Sequence, residues 1–390
     1  MLDAVEQQRE YLISLRRYFH RHPEVSLQEY HTAEKIEQEL DAMGIPHERV
    51  GETGVVATLS HITEEATAKK VVLRADMDAL PIAEKNHTEY VSENPGVMHA
   101  CGHDAHTAAL LGAAKILKSR EDTLNGTVTF LFQQAEEIGG GAKQFIQAGC
   151  LENAFRILGI HMQPELPVGT ISVRAGESNA SVDYFKIMVH GKSAHVSTPH
   201  LGVDALYIAS QIVVSIQSII ARGLDPLEDG VVGIGKMSAG NNYNIVANEA
   251  VLEGTTRAFN DKTRAFLNQR VRKIAKATAE MYGATVEFEW KDYTSPLIND
   301  RDAAAEVAEL GAELLGGEHV LTDAPKRLLG DDFAEYLRKV KGQFVFVGSA
   351  GGEKTSYPLH HEQFDLDEDA ILIAAELYVG YAEKIIGKIS

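Results

Sequence analysis

The sequence lacks the features that mark several common classes of protein. Its 390 residues include only two cysteines, Cys101 and Cys150, so a disulfide framework is excluded and a reducing compartment is indicated. No run approaches the roughly 18 apolar residues that a membrane helix needs. Residues 1–20 carry charges throughout, without the apolar segment of a secretory signal. A cytoplasmic location is therefore the expectation.

Positive charge is also scarce. The chain has 37 Lys and Arg against 56 Asp and Glu, a formal net charge of −19, and no basic cluster occurs anywhere along it. Neither nucleic acid nor an anionic membrane is therefore expected as a partner. The hydrophobic share of 44% and the charged share of 24% are those of an ordinary globular protein. A chain of this length is longer than a single hydrophobic core usually accommodates, which predicts two domains.

The order of apolar runs predicts a two-domain α/β protein. Strand-like runs alternate with helix-like segments through the first part of the chain, which is typical of a largely parallel sheet. In such sheets the ligand site lies beyond the carboxyl ends of the strands. Between residues 180 and 292 the order becomes βαββαβ, that of a ferredoxin-like unit. We therefore predict a mixed-sheet domain formed by 1–179 and 293–390, with an inserted ferredoxin-like domain at 180–292.

The densest chemistry lies in Met98–His106, which offers a thiol, three imidazoles and a carboxylate. Cys101 and His103 are separated by one residue just before a helix rich in small residues, so both side chains can converge on one point. Thiolate, imidazole and carboxylate together suit a first-row transition metal rather than calcium or magnesium. The alternative is a buried thiol beside two solvated histidines. Because several other potential ligands surround the pair, we favour the interpretation as a metal site.

Two acidic residues and further histidines follow other strand-like runs. Glu136 and Glu137 come after the run 127–133, where one carboxylate could bind a metal while its neighbour acts on water in metal-assisted hydrolysis. Taken alone, the pair would be an exposed acidic turn. His161 ends an apolar run, where a satisfied core histidine is the common alternative. His360 and His361 follow a glycine-rich loop.

Further aspartates could support such a site. Asp76 and Asp78 follow a strand-like run and could orient ligand histidines through hydrogen bonds. Asp331 and Asp332 follow Gly330 and could equally cap a helix. His195 falls in the predicted inserted domain, and the sequence alone does not make it a metal ligand.

Together these residues resemble the M20 family of metallopeptidases. The resemblance is closest to its amidohydrolase branch, which includes N-acyl-amino-acid deacylases, hippurate hydrolases and indole-acetyl-amino-acid hydrolases. The matching motifs occur in order along nearly the whole chain: His20–Glu24, Arg74–Pro81, Met98–His106, Ala135–Glu137, Gly191–His200, Gly254–Arg257 and Asp331–Phe333.

The resemblance implies a catalytic domain that holds two divalent metal ions, zinc, manganese, cobalt or nickel, and a smaller lid or dimerisation domain. A homodimer, or a higher homo-oligomer, is implied with it. Glu136 corresponds to the general base, and His195 to a contact with the substrate carbonyl oxygen, often made from the neighbouring subunit. Asn244 and Arg257 match positions implicated in substrate binding. The implied metal ligands, with the Cys101 thiolate shared between the two ions, are Cys101, His103, Glu137, His161 and His360.

The chain departs from the family pattern at three positions. Gln134 replaces the proline usual before Ala-Glu-Glu, and Met162 replaces the asparagine common after the ligand histidine. Glu362 replaces a proline often found after the last histidine, so His361 stays an alternative to His360. None of these changes removes a ligand.

The expected reaction is hydrolysis of the amide bond of an N-acyl-L-amino acid by a metal-activated water with a glutamate as general base. A dipeptidase or carboxypeptidase of the same fold is the nearest alternative. A catalytically silent protein that binds amino acids or metal is the alternative of another class. The acyl group cannot be read from the sequence.

Overall fold

The computed structural model describes residues 3–63 and 68–387, and the chain divides into two compact units. The first unit lies within Met1–Gly176, Asn299–Pro325 and Asp331–Ser390, and the second comprises Glu177–Ile298 and Lys326–Gly330. The inserted domain was predicted at 180–292, so residues 177–179, 293–298 and 326–330 lie in the second unit rather than the first. The short segment 326–330 belongs to the second unit because the backbone of Arg327 exchanges hydrogen bonds with Ser178 and Ala180. Hydrophobic periodicity carries no signal for such a pairing.

The strands of the described chain are β1 (His47–Val50), β2 (Gly54–His61), β3 (Lys69–Asp76), β4 (Gly126–Gln133), β5 (Arg156–Pro167), β6 (Ile171–Ser172), β7 (Gly176–Asn179), β8 (Val182–His190), β9 (Gly230–Ala239), β10 (Glu249–Ala258), β11 (Thr285–Thr294), β12 (Leu297–Asn299), β13 (Val320–Leu321) and β14 (Gly342–Ala350). The α-helices are α1 (Asp3–Glu6), α2 (Arg9–Arg21), α3 (Tyr30–Met43), α4 (His103–Ser119), α5 (Gly141–Gln147), α6 (Ala205–Ile216), α7 (Asp261–Met281), α8 (Arg301–Leu315), α9 (Phe333–Leu337) and α10 (Asp369–Ile386).

The sheet of the first unit has the strand order β1-β2-β4-β3-β5-β14-β6-β13. Its central strands β4, β3, β5 and β14 are parallel. The pairs β1–β2, β2–β4 and β6–β14 are antiparallel, and β13 is parallel to β6. The central strands are buried on both faces, which explains their nearly continuous apolar sequences. The predicted mixed α/β fold is confirmed.

Helix α4 lies at the centre of the first core, against α2, α10 and the sheet. Its small residues allow close packing: a Cβ at Gly112 would lie 2.2 Å from Leu12. Helix α3 ends at Gly44 in the left-handed conformation with φ 65°, as its glycine predicts. The first helical segment of the chain is divided into α1 and α2.

Strand β5 is longer than the sequence indicated. Parallel pairing with β14 continues past His161 to Gln163, so His161 lies within the strand rather than at its end. The prediction of a terminal histidine was therefore wrong. The run Arg156–Ile160 is only the first, apolar part of this strand. Pairing within the sheet extends the strand beyond it, through a stretch that includes polar residues.

The second unit is a four-stranded antiparallel sheet in the order β11-β8-β10-β9, with α6 and α7 packed against it. Burial alternates strictly along β8, so one face forms the core with the helices. This is the strand order of the predicted ferredoxin-like unit. Strands β7 and β12 form a separate two-stranded sheet.

No helix in residues 3–63 and 68–387 combines the length and the apolar character that a membrane crossing requires.

A buried ion cluster fixes α2 to the first turn of α4. The Nε of Arg16 donates to Asp104 at 2.9 Å, and Nδ1 of His20 donates to the same carboxylate oxygen at 2.7 Å. All three side chains are fully buried. Burial opposes ionisation of Asp104, but the Arg16 guanidinium and the His20 imidazole outweigh it and hold the pKa of this carboxyl well below its usual range. The cluster therefore supports the fold in its ionised form.

Replacing Asp104 by Asn is expected to lower the free energy of unfolding of the metal-free protein by about 3 kcal/mol at pH 7, since Arg16 then keeps its buried charge with less compensation. Because the folded-state pKa of Asp104 is lowered, its contribution is complete above the unfolded-state value of about 3.9 and declines as the pH falls below it. The difference from wild type should therefore shrink by about 1.4 kcal/mol per pH unit below pH 4. Pulse proteolysis in urea at several pH values measures the free energy of unfolding of both proteins.

A matched control uses an exposed pair. Glu280 lies 3.8 Å from Lys276, and both side chains are more than half exposed. Replacing Glu280 by Gln should leave unfolding unchanged within error at every pH. A pH-independent difference between wild type and D104N would contradict the assignment of an ionised Asp104.

Candidate metal centre

The potential ligands of the first unit meet beyond the ends of β3 and β4, at the start of α4. Gly102 precedes the helix with φ 87°, in the left-handed region that glycine tolerates. A Cβ there would lie 3.2 Å from the side chain of Met162. The resulting turn places Cys101 and His103 in one group with His161, with their potential ligand atoms within 4.8 Å of one another. The predicted convergence of the Cys-Gly-His motif is therefore present in the structure.

Hydrogen bonds fix the ring orientation of two buried histidines. Nδ1 of His103 donates to the carbonyl oxygen of Asp78 at 2.8 Å, and Nδ1 of His161 donates to that of Met162 at 2.7 Å. Because a carbonyl oxygen can only accept, Nδ1 carries a proton in both rings, and Nε2 is the nitrogen that can offer a lone pair to a metal. Nε2 of His161 lies 3.5 Å from Sγ of Cys101, and Nε2 of His103 is buried without a hydrogen-bond partner. This arrangement is typical of ligand histidines.

A second group overlaps the first at the thiol. Cys101, Glu137 and His360 also place ligand atoms within 4.8 Å of one another. Oε1 of Glu137 lies 3.4 Å from Nε2 of His360 and 4.0 Å from Nε2 of His103, and it too is buried without a hydrogen-bond partner. Two three-residue groups therefore share Cys101, which is the arrangement expected for two ions bridged by one thiolate.

The chemistry of these residues fits bound transition metals. Burial and the carboxylates of Glu137 and Glu136 raise the pKa of the Cys101 thiol well above its usual range. Without a cation, the site would therefore combine a protonated thiol with an unpartnered imidazole and an unpartnered carboxylate oxygen. Divalent ions satisfy all three at once, since thiolate, imidazole and carboxylate are the ligands of zinc and its neighbours.

The structure distinguishes His360 from His361. His360 has φ 64°, and its backbone N–H donates to the carbonyl oxygen of Ala100 at 2.8 Å, which holds it beside the Cys101 segment. The ring of His361 instead stacks on Tyr357, and its Nδ1 accepts the backbone N–H of Gln363. Only His360 joins the ligand group.

His106, the last histidine of the motif, has both ring nitrogens occupied. Its Nδ1 donates to Asp76 at 2.6 Å, and its Nε2 accepts the backbone N–H of Met162 at 2.8 Å. It therefore has no free lone pair for a metal, although it lies close to His103 and Asp76. Through these two hydrogen bonds, His106 connects Asp76 to the strand that carries His161.

Asp76 and Asp78 lie behind the ligands. Burial opposes ionisation of Asp76, but the Arg74 guanidinium and the neighbouring His103 imidazole hold the pKa of this carboxyl well below its usual range. The carboxylate of Asp78 accepts the backbone N–H of Glu136 and of Glu137, both at 3.1 Å. The ligand histidine His103 contacts Asp78 through the backbone carbonyl oxygen, whereas the Asp76 carboxylate accepts from His106, which is not a proposed ligand. The role of the two aspartates in orienting ligand histidines remains a prediction.

Glu136 and Glu137 form one group of potential ligand atoms with His103, but the rest of their surroundings differs. It is largely buried, and its carboxylate lies with those of Asp331 and Asp332 in one acidic group. Burial, Asp331 and Glu137 raise the pKa of Glu136 well above its usual range. Of the two glutamates, Glu136 is therefore the one whose surroundings favour the binding of a proton. Asp331 also accepts the backbone N–H of Phe333, the first residue of α9, at 2.7 Å, whereas the N-cap residue Asp332 makes no side-chain capping hydrogen bond.

Two residues that no sequence motif singled out also contact this region. Ser26 donates to the carboxylate of Asp78 at 2.6 Å, and Glu29 accepts the backbone N–H of Ala135 at 2.9 Å. Both lie just beyond the motif His20–Glu24. A polar residue in a loop gives no periodic signal, and only this proximity to the motif could have drawn attention to them.

His195, Asn244 and Arg257 belong to the second unit. There His195 and Asn244 lie on adjacent segments, since the backbone N–H of Val196 donates to the carbonyl oxygen of Asn244 at 3.1 Å. His195 is exposed, and its Nδ1 accepts the backbone N–H of Ser197. Burial lowers the pKa of Arg257. The roles of these three residues in substrate binding stay predictions.

Comparison with known proteins gives the family of this chain. The family model of peptidase family M20/M25/M40 matches residues 72–384. The N-acetylcysteine deacetylase of Bacillus subtilis is 38% identical over 376 residues, covering 95% of this chain and 96% of that protein. The chain belongs to the M20 family, and the resemblance inferred from its motifs is confirmed.

Other relatives extend the range of activities and supply a solved structure. Thermostable carboxypeptidase 2 of Saccharolobus solfataricus is 35% identical over 388 residues, covering 98% of each chain. The crystal structure of a dinuclear metal-binding peptidase of the M20 family from Bacillus subtilis superposes with a TM-score of 0.84 at 36% identity, covering 98% of this chain and 100% of that one. The chain is thus a metal-dependent amidohydrolase, as predicted.

Proposed function

We propose that this protein hydrolyses the amide bond of N-acyl-L-amino acids and releases a carboxylate and the free amino acid. One observation carries the proposal. A largely buried carboxylate, Glu136, adjoins two ligand groups that share Cys101. This supplies a general base next to a place for two divalent ions.

The residues divide the chemistry among them. Bound ions supply Lewis-acid polarisation of a carbonyl and activation of water. The proposed ligands are Cys101, His103, Glu137, His161 and His360. Glu136 accepts one proton from the attacking water as the oxygen bonds to the amide carbon. It then returns that proton to the leaving nitrogen as the carbon–nitrogen bond breaks, so the glutamate is regenerated.

The second unit contributes to substrate binding in this proposal. By its family correspondence, His195 donates a hydrogen bond to the carbonyl oxygen as negative charge develops there, an interaction worth about 3 kcal/mol for a well-placed donor. Asn244 and Arg257 bind the amino-acid part of the substrate. Arg257 has the fixed planar donors that recognise a carboxylate.

Two classes of substrate compete. The deacetylase relative supports N-acyl amino acids, whereas the carboxypeptidase relative supports short peptides. Both reactions use the same site residues. The identity to the deacetylase and the Cys101 form of the motif favour the first class.

A panel assay separates the two. The protein would be stripped of metal and reloaded with zinc or with manganese. It would then be incubated with N-acetyl and N-benzoyl amino acids and with dipeptides, and free amino acid measured by mass spectrometry. We expect metal-dependent release from at least one N-acyl substrate and its loss in E136Q. Release from dipeptides alone would replace the proposal with the peptidase alternative.

Assembly and location remain predictions. We propose a homodimer, or a higher homo-oligomer, in the cytoplasm. Sedimentation equilibrium of the purified protein measures its oligomeric state. A monomer at micromolar concentration would contradict the proposed homodimer.

A further inference from the structure

The segment that carries the two glutamates is held by buried carboxylates from outside it. Three consecutive backbone N–H groups each donate to a carboxylate oxygen. Those of Glu136 and Glu137 donate to the two oxygens of Asp78, and that of Ala135 donates to Oε1 of Glu29. Every donor of this turn is therefore bound to a side chain rather than to the neighbouring strand.

Ala135 adopts a conformation that alanine does not favour. Its φ is 55°, in the left-handed region where Cβ approaches the following carbonyl oxygen. Such a conformation persists only where surrounding contacts hold it. The kink it produces lies directly before Glu136, so it sets the direction in which the two glutamates leave the end of β4.

Glu29 is well placed to hold this conformation. It is fully buried, lies just before α3 and uses both of its carboxylate oxygens. Oε1 accepts from Ala135 at 2.9 Å, and Oε2 accepts from the hydroxyl of Thr53 at 2.7 Å. Thr53 and Ala135 are buried as well, so water cannot replace either bond without a structural change.

We propose that Glu29 is a positioning residue, whose hydrogen bond to Ala135 maintains the left-handed turn that directs Glu136 toward the substrate and Glu137 toward the metal. The inference rests on the proposed function for the roles of the two glutamates. The contribution of Glu29 itself rests on the contacts above. Without it, the buried N–H of Ala135 has no acceptor and the backbone can relax to an ordinary φ.

The test uses Glu29→Ala alone and combined with Ala135→Gly. Glycine adopts positive φ without strain, so it restores the turn without restoring the hydrogen bond. We expect E29A to weaken zinc affinity at least about tenfold, measured by competition with a chelator, and to lower kcat similarly with little change in KM. The double variant E29A/A135G should recover most of both losses.

Two further variants separate positioning from general destabilisation. Glu29→Gln keeps an acceptor for Ala135 and can donate to Thr53, so its zinc affinity should stay near wild type. Thr53→Val removes the other bond of Glu29 and should also leave zinc affinity near wild type. Should E29A not fold, Glu29→Asp, which keeps the charge but shortens the reach, replaces it in the series. Thermal unfolding is recorded for every variant.

The outcomes are decisive. Unchanged zinc affinity in folded E29A, or a loss that T53V equals, would overturn the proposal. A loss that A135G fails to recover would overturn it as well, because the turn would then not be the route of the effect. If no substrate is hydrolysed by wild type, the proposed function fails, while the zinc affinities still decide the role of Glu29.

Discussion

Replacing Glu136 by Gln is expected to lower kcat by about 10²- to 10⁴-fold, the usual contribution of a general base. Glutamine has nearly the same shape but cannot accept a proton from water at neutral pH. Glu136 lies near His103 and Glu137 as well as Asp331 and Asp332, but Glu137 and not Glu136 joins Cys101 and His360 and is the proposed ligand. The substitution should therefore leave the metal content of the protein unchanged.

The adjacent residue provides the matched control. Glu137→Gln should lower metal content, since its Oε1 is the carboxylate oxygen of the second ligand group. Steady-state kinetics and elemental analysis of both variants, loaded under the same conditions, separate the two roles. An E136Q protein with wild-type turnover, or a pair of variants with equal metal loss, would show that the roles are assigned wrongly.

Replacing Cys101 by Ala is expected to remove both metal ions from the protein. The thiol belongs to both ligand groups, so its loss leaves each with two of its three residues. Partners that merely orient a ligand cost about 10- to 100-fold in metal affinity when they are removed. A shared ligand should exceed this, and we expect a decrease of more than about 100-fold for each ion.

The other cysteine of the chain serves as the control. Cys150 is half-buried and belongs to none of the potential ligand groups in the described residues. The variant C150A should therefore bind metal as wild type does. Titration of metal into stripped protein, followed by calorimetry, measures both variants. A C101A protein that still binds two ions per chain with wild-type affinity would exclude the shared thiolate.

Local spacing was sufficient to predict the centre of the site. Cys101 and His103 converge because one glycine separates them at a helix start, and this arrangement depends only on nearby residues. Glu136 and Glu137 could be assigned different roles because neighbours after a strand point in different directions. The βαββαβ order of the second unit could also be predicted from local sequence. Apolar residues recur with one period in a strand and with another in a helix.

Contacts between distant segments were not predictable. Glu29 and Ala135 are far apart in sequence, and nothing in either segment indicates that they meet. The family resemblance implied His360 and left His361 as an alternative, and the positive φ of His360 is imposed by the surrounding structure. Residues 326–330 pair, through Arg327, with Ser178 and Ala180 at the start of the second unit. The two segments are far apart in sequence.

The first turn of α4 places two consecutive residues in different buried systems. His103 faces the ligand groups, whereas Asp104 neutralises Arg16 and His20. Ions that bind the native chain and not the unfolded one would stabilise it by mass action, so metal occupancy would raise its resistance to unfolding. Unfolded molecules are the ones that cellular proteases degrade. The supply of metal would then set how long each copy of this protein survives, as well as how fast it works.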